Sequence, residues 1–202
     1  MRTLMKNITL VILAISLNCN LAAAQDYSVS LGLGTSHTDF VTSTKSVSVM
    51  GNRYFNFNFF RLGSGLRFTN WQRQSDLTIN PSYKLSDISV SALNIVLLAE
   101  ADILSHFLLG FNIDVVGGSF GKNSALIGFT EKAEPTKSNL LLGGKNDRGS
   151  LNSELYIGYK YNDQRWNVGW SHQVIEYSST APSANKLQNF FDTLIVRFDY
   201  LF

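Results

Sequence analysis

From Gln25 onward, apolar and polar residues alternate with a period of two, the pattern of strands whose two faces meet different surroundings. The last run is the clearest: Leu194, Val196, Phe198, Tyr200 and Phe202 share one face, with Thr193, Arg197 and Asp199 on the other. A second run sets Phe107, Leu109, Phe111, Ile113 and Val115 against His106, Gly110, Asn112 and Asp114. A third sets Leu151, Leu155, Ile157, Tyr159 and Tyr161 against Asn152, Glu154, Gly158 and Lys160. Carried along the chain, the alternation predicts eight strands, over 26–36, 46–59, 62–71, 86–101, 105–121, 149–161, 165–177 and 189–202. The run 86–101 changes phase near Ala92 and Leu93, which predicts a β-bulge there.

The connections then decide the topology. Long segments (37–45, 72–85, 122–148, 178–188) alternate strictly with short ones (60–61, 102–104, 162–164). An all-β, up-and-down antiparallel transmembrane β-barrel of eight strands has this rhythm, with long loops outside the cell and tight turns in the periplasm. Both chain ends then lie on the periplasmic side. A soluble sandwich or lipocalin-like barrel also alternates, but it turns its charged face to water. Here many charges fall in the connections (Lys45, Arg73, Asp76, Lys84, Lys122, Glu131, Lys132, Glu134) and leave the strand exteriors nearly bare. Aromatic residues also gather at the short-turn ends: Phe57, Phe59, Phe107, Tyr159, Tyr161, Trp166, Tyr200 and Phe202. They predict an interfacial girdle, with Trp71, Phe120, Tyr177 and Phe190 as a smaller outer one.

Composition agrees with a chain that shows little charge to water. Only 16% of the 202 residues are charged against 45% hydrophobic, where a soluble domain carries about 25% charged. Residues 1–24 predict a secretory signal peptide, with Arg2 and Lys6 before an apolar core from Ile8 to Leu17 and Ala22-Ala23-Ala24 before Gln25. Cys19 raises a lipoprotein alternative, but Asn18 stands where a small residue is expected. Cleavage removes two of the 17 basic residues and none of the 15 acidic ones, so the barrel domain over 25–202 has no net charge. That offers nothing to a nucleic acid.

The segment from Leu194 to Phe202 carries aromatics at alternate places and ends on Phe. It resembles the terminal signal of bacterial outer-membrane β-barrel proteins, and the whole domain resembles the small eight-stranded members of that group. The resemblance implies an outer-membrane location, contact with lipid and lipopolysaccharide, and insertion by the barrel-assembly machinery. Phe198, Tyr200 and Phe202 would carry the assembly signal.

An eight-stranded barrel is just wide enough inside for side chains to fill it. The inward faces predict a polar network of Arg67, Glu100, Asp114, Glu154, Lys160, Arg197 and Asp199, with Asn94, Asn112, Asn152, Asn167 and Gln173. Buried charges must be paired, so the expectation is a plug of paired side chains rather than a polar pore. A catalytic reading would draw on Ser171, His172, Glu176 and Ser178, but Ser171 and His172 are neighbours and point to opposite faces of a strand. The His and Ser of outer-membrane lipid A deacylases lie two apart, a spacing absent here. His37, His106 and His172 are dispersed and predict no metal site. Gly32-Leu33-Gly34 and Gly63-Ser64-Gly65 read as strand glycines rather than phosphate cradles, and no dinucleotide fingerprint appears, so no cofactor is expected. The segment 122–148 is the candidate for partner recognition, with Ala125–Phe129 and Leu140–Leu142 flanking a charged stretch as a hairpin raised above the membrane. The function expected is a structural or binding scaffold, or an accessory subunit of an envelope assembly. A narrow channel and a lipid A-modifying hydrolase are the alternatives.

Overall fold

The structure, a computed structural model, describes residues 25–39, 42–80, 83–125, 132–144, 148–179 and 186–202. The expected signal peptide over 1–24 lies outside these residues. Eight long strands form the wall: β1 (Gln25–Asp39), β2 (Thr42–Phe57), β3 (Phe60–Asn80), β4 (Tyr83–Asp102), β5 (Phe107–Gly121), β9 (Leu151–Tyr161), β10 (Gln164–Ser179) and β11 (Lys186–Leu201). Three short strands, β6 (Ser124–Ala125), β7 (Lys132–Pro135) and β8 (Ser138–Leu140), lie between β5 and β9. Each long strand pairs antiparallel with the next, and β11 returns to β1 with Ser28 opposite Leu201 and Thr35 opposite Leu194. The chain is therefore a closed eight-stranded up-and-down barrel.

Two of the tight turns at one end are set by asparagine. Asn58 and Asn162 take positive φ of 41° and 54°, a region that asparagine tolerates better than most residues. The aromatics expected at this short-turn end are exposed there. Phe57 stacks on Phe60, Phe107 lies against Tyr159, and Trp166 against Phe198. Tyr200, Phe202 and Tyr27 form a further stack that joins the last strand to the first. Above this girdle the outward positions form an apolar belt. It runs over Tyr27–Leu33, Val47–Phe57, Phe60–Phe68, Leu93–Ala101, Phe107–Ile113, Leu155–Tyr161, Trp166–Trp170 and Leu194–Phe202. The inward positions of the same strands are mostly polar, with Met50, Tyr54, Val96 and Leu98 as a small apolar cluster among them.

Toward the other end this order inverts. Trp71, Ile88, Val90, Ala92, Ile175, Tyr177, Leu187 and Phe191 pack inside the barrel as an apolar cap, with Ala133 of β7. Trp71 and Tyr177, expected in an outer girdle, are therefore 0% and 1% exposed, while Phe120 and Phe190 do face outward. The same inversion displaces the expected bulge. β4 keeps one phase from Ile88 to Glu100, because Ile88, Val90 and Ala92 point inward like Asn94. The extra residue is on β5 instead: Ile95 pairs with Val116 and Val96 with Asp114, leaving Val115 unopposed.

The long connections are also shorter than expected, because most of each is paired strand. β1 and β2 pair as far as Asp39 and Thr42, β3 and β4 as far as Asn80 and Tyr83, and β10 and β11 as far as Ser178 and Lys186. Those ends are largely polar in sequence, and a polar strand can pair without showing an apolar alternation. Within the segment 122–148, residues 126–131 and 145–147, and with them most of the expected arm Ala125–Phe129, lie outside the described residues; the rest carries the three short strands. β6 and β7 pair with each other, β7 docks on β10 with Tyr177 opposite Pro135, and β8 docks on β5 with Val116 opposite Leu140. All three complete the wall above the short β9.

One close approach deserves a glycine for packing reasons. Gly110 lies opposite Tyr156, and a Cβ there would collide with the inward Tyr156 ring. Gly110→Val should displace that ring and destabilise the barrel by about 1–3 kcal/mol, the usual penalty of overpacking. Equilibrium urea unfolding measures it, and an unchanged midpoint would contradict the packing described.

Candidate functional site

The interior is built by strand parity. Inward positions are even-numbered on β1, β2 and β4 and odd-numbered on β3, β10 and β11, so residues two apart on a strand stack along the barrel. Arg61 and Arg67 on β3 thereby face Glu100 on β4 and Asp114 on β5. Arg165 on β10 and Arg197 on β11 enter between them and Asp199 and Glu154.

The result is one chain of alternating sign. Arg61 Nη2 lies 3.1 Å from Glu100 Oε2, and Arg165 Nη1 lies 2.7 Å from the same oxygen. Arg165 Nε donates to Asp199 Oδ2 at 2.6 Å, and Arg197 Nε to Asp199 Oδ1 at 2.9 Å. Arg197 Nη1 reaches Glu154 Oε2 at 2.6 Å, Arg67 Nη1 reaches Glu154 Oε1 at 2.9 Å, and Arg67 Nε reaches Asp114 Oδ1 at 2.9 Å. Four guanidinium groups thus alternate with four carboxylates, all eight residues are buried, and the sum of charge is zero.

Neutral groups complete the valences. Tyr156 Oη donates to Glu100 at 2.6 Å, Arg165 donates to Tyr54 Oη at 2.9 Å, and Arg197 lies over the Tyr156 ring at 4.2 Å. Asn167 donates to Asp199, Asn112 to Glu154, and Asn94 to Asp114. Lys160 belongs to the mouth of the barrel rather than its middle, pairing with Asp102 at 2.5 Å.

Sequence reasoning missed Arg61, Arg165, Tyr54 and Tyr156. Parity alone could have found the arginines, since Arg61 shares the face of Arg67 and Arg165 that of Asn167. The tyrosines gave no such signal, because an alternation scored on apolar residues assigns an aromatic ring to the outer face.

Above the charges lies an amide and hydroxyl layer. Gln173 donates to Ser171 and Thr193, and Ser171 donates to Asn152. An enclosed void of about 10 Å³ remains beside Gly32, Gly34, Thr69, Gln173 and Arg197, room for about one water.

The second polar site is outside, at the rim of the belt near the hairpin end. Ser153, His172 and Asp192 lie in one row across β9, β10 and β11, directly opposite one another. Asp192 Oδ1 lies 2.8 Å from His172 Nδ1 and accepts from Trp170 Nε1 at 3.2 Å, while Ser153 Oγ donates to the His172 carbonyl at 3.4 Å. The residues singled out around His172 are not brought together. Ser171 is inside, Glu176 is held by Lys186 and Gln188, and Ser178 meets Thr136. His37 lies within β1 rather than in a loop, opposite Ser43, and no group of metal-ligating side chains exists among the described residues.

No protein-family model matches this sequence, and no curated protein matches it. Among solved structures the barrel is similar to Neisserial surface protein A, at 10% identity and a TM-score of 0.46, over 87% of this chain and 94% of that one. It is also similar to the translocator domain of the autotransporter NalP from Neisseria meningitidis, at 10% identity and a TM-score of 0.30, over 98% and 95% of the two chains.

The alternating chain makes a definite energetic prediction. Glu154→Gln or Arg197→Met alone strands a buried partner and should cost about 3–5 kcal/mol. The double variant should cost well under the sum of the two, because the two residues are direct partners. Urea unfolding of all four proteins closes the cycle, and additive losses would show that the two residues do not interact.

Proposed function

We propose that the protein is an integral outer-membrane barrel that works as a structural or binding scaffold, presenting its hairpin end to the outside of the cell. The observation that carries this reading is the pairing of an apolar outer belt with a charged, filled interior. A soluble barrel has the opposite order, whereas a closed barrel in lipid satisfies its backbone between strands and keeps its polar groups inside. The aromatic stacks at the short-turn end support an interface there, and under this reading Phe198, Tyr200 and Phe202 would be what the assembly machinery recognises.

The filled interior favours a scaffold over a narrow channel. Four paired arginines, the amide layer and the apolar cap succeed one another along the axis, and solute passage would require them to separate. Partner recognition then falls to the hairpin end, where β7 exposes Lys132 and Glu134 on a wall segment braced by β10.

One observation favours a second reading, a hydrolase acting on lipid acyl esters. The Ser153–His172–Asp192 row places a hydroxyl, an imidazole and a carboxylate on three adjacent strands at the rim of the belt. Ser153 now bonds the backbone rather than the imidazole, which puts this reading second. Under it, lipid A from overproducing cells would lose an acyl chain and His172→Ala would abolish that loss.

Membrane residence has its own test. Ile157→Arg, in the middle of the belt, should cost about 2–4 kcal/mol, and Tyr161→Arg, at the girdle, about 0–1 kcal/mol. Refolding into lipid vesicles with urea titration measures both, and equal small effects would favour a soluble barrel. The scaffold reading is tested by purification in mild detergent with mass spectrometry of what accompanies the barrel. A stoichiometric protein partner, weakened by Lys132→Ala with Glu134→Ala, is the expected result. A solitary barrel giving discrete single-channel conductance steps would replace this reading with the channel.

A further inference from the structure

Among the buried polar atoms that meet no protein partner, three belong to residues lining one small void: Arg197 Nη2, Thr69 Oγ1 and Gln173 Oε1. Thr69 and Gln173 are 1% exposed and Arg197 2%. An atom so placed keeps its full desolvation cost unless something meets it. The three residues come from β3, β10 and β11, and the void lies where the charge chain gives way to the amide layer.

The hydrogen bonds around the void have a fixed direction, set by Glu154. Its carboxylate, paired with Arg67 and Arg197, only accepts, so Asn152 turns Nδ2 to Oε1 at 3.0 Å. Asn152 Oδ1 then accepts from Ser171 Oγ. Ser171 has one proton and donates it there, so toward Gln173 it only accepts. Gln173 therefore turns Nε2 to Ser171 and to Thr193, each at 3.0 Å, which leaves Oε1 as an unmet acceptor. Arg197 directs Nε to Asp199 and Nη1 to Glu154, which leaves Nη2 as an unmet donor. The Thr69 hydroxyl can serve in either sense.

Size and charge then limit the occupant. A volume of about 10 Å³ admits one water and nothing larger. The β1 side offers no more room, because a Cβ at Gly32 or Gly34 would collide with the hydroxyls of Ser48 and Ser46 that already stand there. An anion would face the Glu154 carboxylate and the Gln173 carbonyl, and a cation would face Arg197. We propose that the void is a site for one ordered water that accepts from Arg197 Nη2, donates to Gln173 Oε1 and shares a hydrogen bond with Thr69 Oγ1. Three partners is the usual number for a buried water. So placed, the water joins the charge chain to the amide layer and ties β3 to β10 and β11 across the lumen. The site is inside the wall and holds whether lipid or water surrounds the barrel.

The test is a crystal structure of the mature barrel, with a second crystal soaked in bromide. A density peak about 2.7–3.2 Å from all three atoms, without an anomalous bromide signal, is the expected result. A void without density would overturn the site, and a bromide peak would overturn the water in favour of an anion. Thr69→Val adds a measurement in solution. Valine keeps the shape of threonine and suits a strand, so the hydroxyl alone is lost. With the water in place, the variant should show a folded-to-unfolded ratio about fivefold lower in urea titration, the net contribution of one hydrogen bond. In a dry void Thr69 Oγ1 would be an unmet hydroxyl, and its replacement by a methyl group would leave that ratio unchanged or raise it. Either of those two results would overturn the proposal.

Discussion

The structure depends on the pairing of Arg165 and Arg197 with carboxylates inside the wall. Neither guanidinium can lose its proton at any ordinary pH, and both are buried, so each must be matched where it stands. Arg165 is matched by Glu100 and Asp199, and Arg197 by Asp199 and Glu154. Those carboxylates then draw in Arg61 and Arg67, and Asp114 ends the series. Each group between the two ends is shared by two neighbours, so the eight residues behave as one unit spanning six strands. A barrel with this interior has a single register, because sliding one strand by a residue would turn its charges out into the belt.

That constraint explains several local choices. Gly110 exists to admit the Tyr156 ring, and Tyr156 is needed because Glu100 has an oxygen to satisfy. Gly158 leaves space beside Leu108 and Asn167, and Asn167 serves Asp199. These two inward glycines thus follow from the size of the groups that the charge chain requires. The outer face obeys a different rule. Aliphatic side chains dominate it, and its aromatics are concentrated at the short-turn end, where Tyr200 and Phe202 stack on each other and Tyr27 on Phe202.

The sequence was legible wherever one rule governed a whole strand. Apolar residues face out along Leu194–Phe202 and Leu155–Tyr161, with mostly polar ones inside apart from Ile195, and alternation found those strands and their faces. It failed where the rule changed partway. β4 is inward at Asn94 and Glu100 and also at Ile88, Val90 and Ala92, so hydropathy reported a change of phase that the backbone does not make. Trp71 and Tyr177 were read as outer aromatics for the same cause. The strand ends were hidden because residues 37–39 and 42–45 are polar throughout, and pairing leaves no mark in hydropathy. The row of Ser153, His172 and Asp192 was illegible for another reason: its members are 19 and 20 residues apart and meet only through register.

The inversion near Ala92 separates two environments along one barrel. On the belt side, the outer face carries apolar groups and the interior is charged. On the hairpin side, Trp71, Tyr177 and Phe191 form a core of the kind found in water-soluble sheets, and Lys122, Lys132 and Lys137 are exposed. Such a core requires water around it, since it buries apolar area that a lipid surrounding would not drive inward. On the membrane reading proposed above, the hairpin end would be a water-facing domain continuous with the barrel, because its strands are the barrel's own. β7 and β8 belong to that domain and repair the wall where β9 is short. A binding surface built on paired strands, rather than on loose loops, presents fixed side chains and loses less entropy when a partner arrives. This is the physical reason behind the proposal that partner recognition falls to the hairpin end, with the charged interior as the foundation that holds it.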